Sequence, residues 1–393
     1  MRKKFALYVL ILAGLALNLI GMGVAAPVSV MADGEDFTII VLPDTQYYSQ
    51  SRPDIFSAQT QWVVDNKDAL NIVYVAHEGD IVNTASSTAQ WDNAEDAMEL
   101  LENSGTTGLP DGIPYGVVPG NHDQPTTNYN AYFGVSRFSG RGYYGGHYGT
   151  NNDNNYTLFS AGGMDFIVIN LNYNATNIPP AILNWADDLL TTHSDRRAIV
   201  VSHYILDVDG SFGGPGQGIY NALLGNPNLF LMLCGHMHDE ARRTDTYGGN
   251  TIYTLLADYQ DYPNGGSGYL RILEFSPADD EIQVRTYSPT LDQYQTDADS
   301  QFTLSYDMEV PEYTLTVDVS GSGVVSKDPD QTVYTYGEEV ELTAVAATGW
   351  GFAGWSGDVV STANPLDVVV QDDLQLTAQF VTYRFYFPLL SRH

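Results

Sequence analysis

Two histidines separated by one residue close an apolar run: Leu229-Phe230-Leu231-Met232-Leu233 leads into Cys234-Gly235-His236-Met237-His238. The run is short and unbroken, as in a buried strand. Where the chain leaves that strand, two imidazoles alternate across Met237 and can converge on a metal pair from two sides. Imidazole is a borderline-soft nitrogen donor suited to Zn, Fe, Mn or Ni. A metal pair can acidify a water and clamp anionic oxygens. Alone, the same pattern also describes two solvent-facing loop histidines. The residues upstream decide between these readings.

Four earlier apolar runs end in the same way. Phe37 to Leu42 is followed by Asp44, and Asn71 to Ala76 by Gly79-Asp80-Ile81-Val82-Asn83. Tyr115 to Val118 is followed by Asn121-His122-Asp123, and Ala198 to Ser202 by His203. Open α/β sheets place ligands outside the carboxyl ends of their strands. Five such ends side by side would gather these side chains at one edge. Each has an ordinary explanation when taken singly, as a turn aspartate, a capping asparagine or a surface histidine. Five in succession do not. His77 reads as a strand-end histidine, while Tyr47, Tyr48 and Tyr204 adjoin candidate ligands and serve either to line a pocket or to pack.

The elements between these ends fit a layered α/β domain. Helical spacing is present around 58–69 and 91–101, and again over 180–192 behind an N-terminal proline. The segment from Gln124 to Asn155, rich in Gly, Asn and Tyr, is expected to be a long loop excursion of the kind that contacts substrate. After His238, strand patterns at 251–256, 269–273, 282–285 and 302–304 follow one another without helices, so an antiparallel sheet is expected there. Near Pro311 the pattern becomes β only, with Trp350, Phe352 and Trp355 as an aromatic core.

Composition narrows the function. The 393 residues, 44% of them hydrophobic, suffice for two or three domains. A net charge of −32 argues against binding duplex nucleic acid or anionic lipid. An anionic substrate would need local positive charge, which bound metal ions supply. The single cysteine, Cys234, excludes an intramolecular disulfide and reads as a small buried hydrophobe. Residues 1–32 have the layout of a signal peptide, with Arg2-Lys3-Lys4, an apolar run from Phe5 to Ile20, and a cleavage point after Ala32. This predicts a secreted or cell-surface protein. An uncleaved membrane anchor is the second reading, because no charge falls between Lys4 and Asp33.

From about Phe37 to Met308 the chain resembles the calcineurin-like metallophosphoesterases. That family's signature is Asp-x-His, Gly-Asp-x-x-Asp/Asn, Gly-Asn-His-Asp/Glu, a lone His and Gly-His-x-His. The counterparts here are Asp44-Thr45-Gln46, Gly79 to Asn83, Gly120 to Asp123, His203 and Gly235 to His238. Gln46 departs from the family's histidine. The resemblance implies a four-layer αββα sandwich of two mixed sheets over 36–309. It implies two divalent or trivalent metal ions (Mn, Fe or Zn, with Mg or Ca admissible at the Asp44 site). Asp80 would bridge them; Asp44, His238 and Gln46 would complete the first site, and Asn121, His203 and His236 the second. Two cations ~4 Å apart would hold the hydroxide that attacks a phosphate mono- or diester. His122 would protonate the leaving oxygen or stabilise phosphoryl charge, with Asp123 orienting it. Asn121, His122 and Tyr204 are the candidate substrate contacts, and the expected substrate is a small phosphate ester or a nucleotide.

The residues 312–381 resemble the internalin-type B repeat, through Tyr313-Thr314-Leu315, Gly321-Ser322-Gly323, Tyr336-Gly337-Glu338, Leu342-Thr343-Ala344, Gly354-Trp355-Ser356-Gly357 and Ala378-Gln379-Phe380. This implies a small all-β domain that attaches the protein to the cell envelope or to a partner. Residues 382–393 form a tail. The alternative to an enzyme is a cell-surface binding protein on a weakly active or inactive phosphoesterase fold, a reading supported by Gln46 alone.

Overall fold

The computed structural model describes residues 35–309, 312–335 and 337–382. The expected signal peptide, Tyr336 and the tail beyond Thr382 lie outside the described residues.

Among the described residues, fourteen strands precede Pro311: β1 (Phe37–Leu42), β2 (Ile72–His77), β3 (Tyr115–Val117), β4 (Tyr144–His147), β5 (Asn155–Ala161), β6 (Met164–Leu171), β7 (Arg197–Ser202), β8 (Leu229–Cys234), β9 (Glu240–Tyr247), β10 (Asn250–Ala257), β11 (Leu270–Ser276), β12 (Glu281–Ser288), β13 (Gln293–Tyr294) and β14 (Gln301–Ser305). They form two seven-stranded sheets. The first runs β13-β12-β11-β1-β2-β3, with β14 also on β12. The second runs β4-β5-β6-β7-β8-β10-β9. Both are mixed. β1, β2 and β3 are mutually parallel, whereas β11 is antiparallel to β1. β6, β7, β8 and β10 are parallel, with β5 and β9 antiparallel at the flanks.

The layering follows from where each strand puts its apolar side chains. β1, β2 and β8 are buried at every residue, as strands covered on both faces must be. One face of the first sheet, through Ile40, Val75 and Ile272, packs on helices Pro53–Asn66 and Thr88–Glu102 through Phe56, Val63, Trp91 and Met98. One face of the second, through Ile169, Val200 and Met232, packs on helices Pro180–Thr192 and Gly216–Leu223 through Ala186, Leu190 and Ile219. Aromatic rings join the inner faces. Phe37 stacks on Phe275 at 4.7 Å and meets Phe166 edge-on at 5.6 Å, and Tyr74 stacks on Phe159 at 4.9 Å. The result is helices, sheet, sheet, helices, the αββα architecture expected. Each buried ring contributes ~1.5–3 kcal/mol over exposure.

Two expectations need correction. β10 is not in a purely antiparallel sheet: it pairs parallel with β8 and antiparallel with β9. The segment from Gln124 to Asn155 is not an open loop. It folds into short helices at Thr127–Tyr132 and Val135–Phe138 and into β4, and it buries Tyr129, Phe133, Phe138 and Tyr143.

Among the described residues of 312–382 the only regular structure is β. One three-stranded sheet joins Leu315–Ser320, Leu374–Thr382 and Trp350–Gly357; another joins Gly323–Asp328, Glu338–Ala346 and Leu366–Val370. Leu342, Trp355, Leu376 and Phe380 are buried in a core of their own, against which Trp350 and Phe352 are only partly buried.

Candidate active site

β1, β2, β3, β7 and β8 are parallel within their sheets, and each hands its next residues to the site. β1 delivers Asp44 and Gln46, which begins the helix Gln46–Ser51. β2 delivers Asp80, β3 delivers Asn121 and His122, β7 delivers His203, and β8 delivers His236 and His238. The turns are tight. Gly79 has φ +99°, and two non-glycine residues, Asp80 at φ +47° and His236 at φ +72°, also adopt the left-handed region. Such conformations cost ~1–3 kcal/mol each and persist where their surroundings hold them, most often at functional sites. The motif glycines are cradles for carboxylates. A Cβ on Gly120 would lie 2.1 Å from Asp80 Oδ1, and one on Gly235 would lie 2.2 Å from Asp44 Oδ1.

His203 is fully buried and its environment defines its tautomer. Nδ1 lies 2.9 Å from the Glu78 carbonyl oxygen, which only accepts, so Nδ1 carries a proton. Nε2 then faces Asn121 Oδ1 at 3.0 Å and Asp80 Oδ2 at 3.3 Å. In the neutral ring the Nε2 lone pair faces the two oxygens, an arrangement that a proton or a metal cation placed among them relieves. Ligand atoms of Asp80, His203 and His236 all lie within 4.8 Å of one another, a group able to hold a metal ion. Asp80 Oδ1 accepts the His122 main-chain N–H at 2.8 Å, which aims the other oxygen at His203.

The neighbouring position is richer in oxygen. Asp44 is 2% exposed; Oδ1 accepts the His236 main-chain N–H at 3.3 Å, and Oδ2 is buried without a partner. Gln46 is 1% exposed, and its Oε1 is likewise buried without a partner. Buried orphan oxygens cost ~1–3 kcal/mol each, and a cation is the partner that fits both. Burial, with Asp258 and Asp80 adding like charge, holds the Asp44 carboxyl well above the usual range. Burial also pushes Asp258 up to about 6. This crowding of acids is what a bound cation would relieve. Burial and the neighbouring His203 push His236 down to about 4, leaving its imidazole neutral and free to donate a lone pair.

His122 is partly buried, with Nδ1 2.9 Å from the Asn83 carbonyl oxygen. Asp123 does not orient it, contrary to expectation. One Asp123 oxygen accepts the N–H groups of Gly120 at 2.8 Å and Ile81 at 3.1 Å, and the other that of Val82 at 3.0 Å. Asp123 therefore ties the β2 and β3 turns together and is a positioning residue. Burial and the neighbouring Asp80 raise its pKa to about 7. His77 is a strand-end residue, its Nδ1 accepting the Gly79 N–H at 3.2 Å and its Nε2 2.9 Å from Thr45 Oγ1. Burial pushes it down to about 3. Tyr48 packs, buried with its hydroxyl oxygen accepting the Gly268 N–H at 2.9 Å. Tyr204 lies over His236 with ring centroids 4.6 Å apart, and its hydroxyl donates to Asp207 Oδ1 at 2.7 Å.

Three residues at the site escaped the sequence reading. Tyr173 follows β6 and places its ring 5.4 Å from His236 and 5.6 Å from His203. Asp258 and Gln260 follow β10, and Gln260 bonds to Gln46, Asp258 and His238. The signal for the last two was present, since they are polar residues directly after an apolar strand.

Comparison with known proteins places these features in a family. Residues 37–240, more than half of the chain, match the calcineurin-like phosphoesterase model, and residues 313–383 match the divergent InlB B-repeat domain. The chain is 39% identical over 292 residues to the uncharacterized protein YvnB of Bacillus subtilis (strain 168). That alignment covers 70% of this chain and 22% of YvnB, so the chain spans about a fifth of that relative's length. Among solved structures, purple acid phosphatase PPD1 from yellow lupin is similar at 14% identity and TM-score 0.45, over 70% of this chain and 55% of that one. GAP50, the anchor in the inner membrane complex of Plasmodium, is similar at 15% identity and TM-score 0.43, over 70% and 89%.

Proposed function

The chain belongs to the calcineurin-like phosphoesterase family, and from that premise we propose that it is an exported hydrolase of phosphate mono- or diesters that works with two metal ions. The observation that carries the reading is the convergence of His203 Nε2, Asp80 Oδ2 and Asn121 Oδ1, beside two buried oxygens of Asp44 and Gln46 that lack partners. Asp80, Asn121, His203 and His236 would hold one ion; Asp44, Gln46, Asp80 and His238 the other. Bound there, the ions would supply Lewis-acid charge for the phosphoryl oxygens and lower the pKa of a water.

The chain's own residues do the rest. The His122 Nδ1–H donates to the Asn83 carbonyl at 2.9 Å, which fixes the ring and leaves Nε2 as the nitrogen not taken up by that bond. From Nε2 a proton passes to the leaving oxygen as its bond to phosphorus breaks. Asn121, His122 and Tyr204 would contact the substrate, and the rings of Tyr204 and Tyr173 pack beside His236. Export rests on the signal-like residues 1–32; among the described residues, no helix is long and apolar enough to cross a membrane.

A panel of phosphomonoesters, linear and cyclic diesters and nucleotides, run with metal content measured in parallel, tests the reading. Hydrolysis that a chelator abolishes and Mn²⁺ restores is expected. A fully metal-loaded protein that turns over none of them would favour the binding-protein alternative.

We further propose that residues 36–309 and 312–381 are separate domains, the second attaching the protein to the envelope or a partner. Removing Glu312 onward should then change kcat/KM on small esters less than twofold. Tyr306 stacks on Phe230 at 4.1 Å and Arg197 Nη1 donates to the Asp307 carbonyl at 2.6 Å, so the first core is closed before the cut. A truncated protein that folds, by circular dichroism, yet loses turnover would show that the β domain contributes to the site.

A further inference from the structure

β10 runs parallel to β8, so its carboxyl end reaches the same edge as the five strands that bear motifs. It delivers Asp258 and Gln260, which are 2% and 5% exposed. Gln260 is gripped from several sides. Its main-chain N–H donates to Asp258 Oδ1 at 2.9 Å, and its Nε2 donates to Asp258 Oδ2 at 3.0 Å. The same Nε2 donates to His238 Nε2, and its Oε1 accepts from Gln46 Nε2.

This chain of amides decides which end of Gln46 is free. An amide side chain offers a donor end and an acceptor end. With the Gln46 nitrogen bound to Gln260, the oxygen is left over, buried and without a partner, like Oδ2 of Asp44. His238 is arranged to match. Its Nδ1 lies 3.0 Å from Asp261 Oδ1, which only accepts, so Nε2 is the acceptor of the Gln260 amide N–H, a bond that must open before that lone pair reaches an ion. The position that a histidine occupies in the family signature thus presents an oxygen here. Carboxylate and amide oxygens suit hard ions such as Mn²⁺, Mg²⁺ and Ca²⁺, whereas imidazole favours Zn²⁺ and Fe.

We propose that Gln260, held by Asp258, is a positioning residue that turns Gln46 oxygen-inward and sets the Asp44 site to prefer a hard divalent ion over Zn²⁺. The proposal rests on the two-metal reading above, to which it adds the selectivity of one site and the residue responsible.

Calorimetric titration of the metal-free full-length chain with Mn²⁺, and separately with Zn²⁺, tests it. Two Mn²⁺ classes are expected in the wild type, with Asp44→Asn weakening one of them. Gln260→Leu should weaken that same class by ~10-fold or more and leave the other unchanged, the scale of losing a residue that orients a ligand. Gln260→Glu, which keeps an acceptor at the same reach for Gln46 Nε2, should retain the class for Mn²⁺, and it tests the idea even where the leucine variant does not fold. Gln46→His should raise Zn²⁺ affinity at this class and lessen the effect of Gln260→Leu. A folded Gln260→Leu protein with wild-type Mn²⁺ binding, or a folded Gln260→Glu protein that loses the class, would overturn the proposal. A wild type in which Asp44→Asn alters no Mn²⁺ class would instead overturn the two-metal reading, and this inference with it.

Discussion

Asp80→Asn is expected to remove nearly all turnover and to lower bound metal at both positions. The loss should exceed the ~10²–10³-fold typical of deleting one electrostatic contact in an active site, because the proposed bridge serves two ions. The substitution is close to isosteric. The His122 main-chain N–H can still donate to the remaining oxygen, as it does at 2.8 Å to Asp80 Oδ1, so the turn should keep its shape. What disappears is the negative charge beside His203, whose Nε2 lies 3.3 Å from Asp80 Oδ2. The measurement is metal content per folded chain alongside kcat. Two full equivalents retained in an inactive variant would contradict the bridging role.

His122→Ala should keep the metals and slow turnover by ~10²-fold or more, the scale of losing a general acid. The size should depend on the substrate. Alkyl esters have poor leaving groups that need a proton, whereas aryl esters with acidic leaving groups do not. A large loss on the former and a small loss on the latter is the expected pattern. An equal loss on both would assign His122 to charge stabilisation of the phosphoryl group. Asp123→Asn should behave differently. Asp123 receives main-chain N–H groups from both turns and none from His122, so its loss should lower thermal stability together with metal affinity.

The site was legible in the sequence to the extent that chemistry sits at the ends of apolar strands. Asp44, Asp80, Asn121, His203 and His236 each follow a run that cannot be anything but buried, and parallel pairing brings the run ends to one edge. Asp258 and Gln260 obey the same rule but were hidden by topology. β9, with its polar, partly exposed sequence Glu240–Tyr247, forms a hairpin with β10. A hairpin reads as the start of an antiparallel sheet, and only the long-range pairing of Leu255 with Leu233 turns β10 into another parallel member.

The segment 124–155 misled for a different reason. Its asparagines look like loop residues, yet they replace secondary structure as a source of hydrogen bonds. Asn152 Nδ2 donates to the Phe133 carbonyl at 2.8 Å, and Asn155 Nδ2 to the Asn152 carbonyl at 2.9 Å, both buried. Polar side chains that satisfy main-chain groups let irregular backbone enter a core, and composition alone does not reveal it. The role of Asp123 was misjudged because adjacency in sequence suggested contact with His122, while the turn points its carboxylate back at the main chain.

The most direct test is anomalous scattering at the Mn edge from crystals of the chain grown with Mn²⁺. Two peaks are expected: one among Asp80, Asn121, His203 and His236, the other among Asp44, Gln46, Asp80 and His238, with Asp80 common to both. No peak at these residues, or a lone peak that does not touch Asp80, would contradict the two-metal centre.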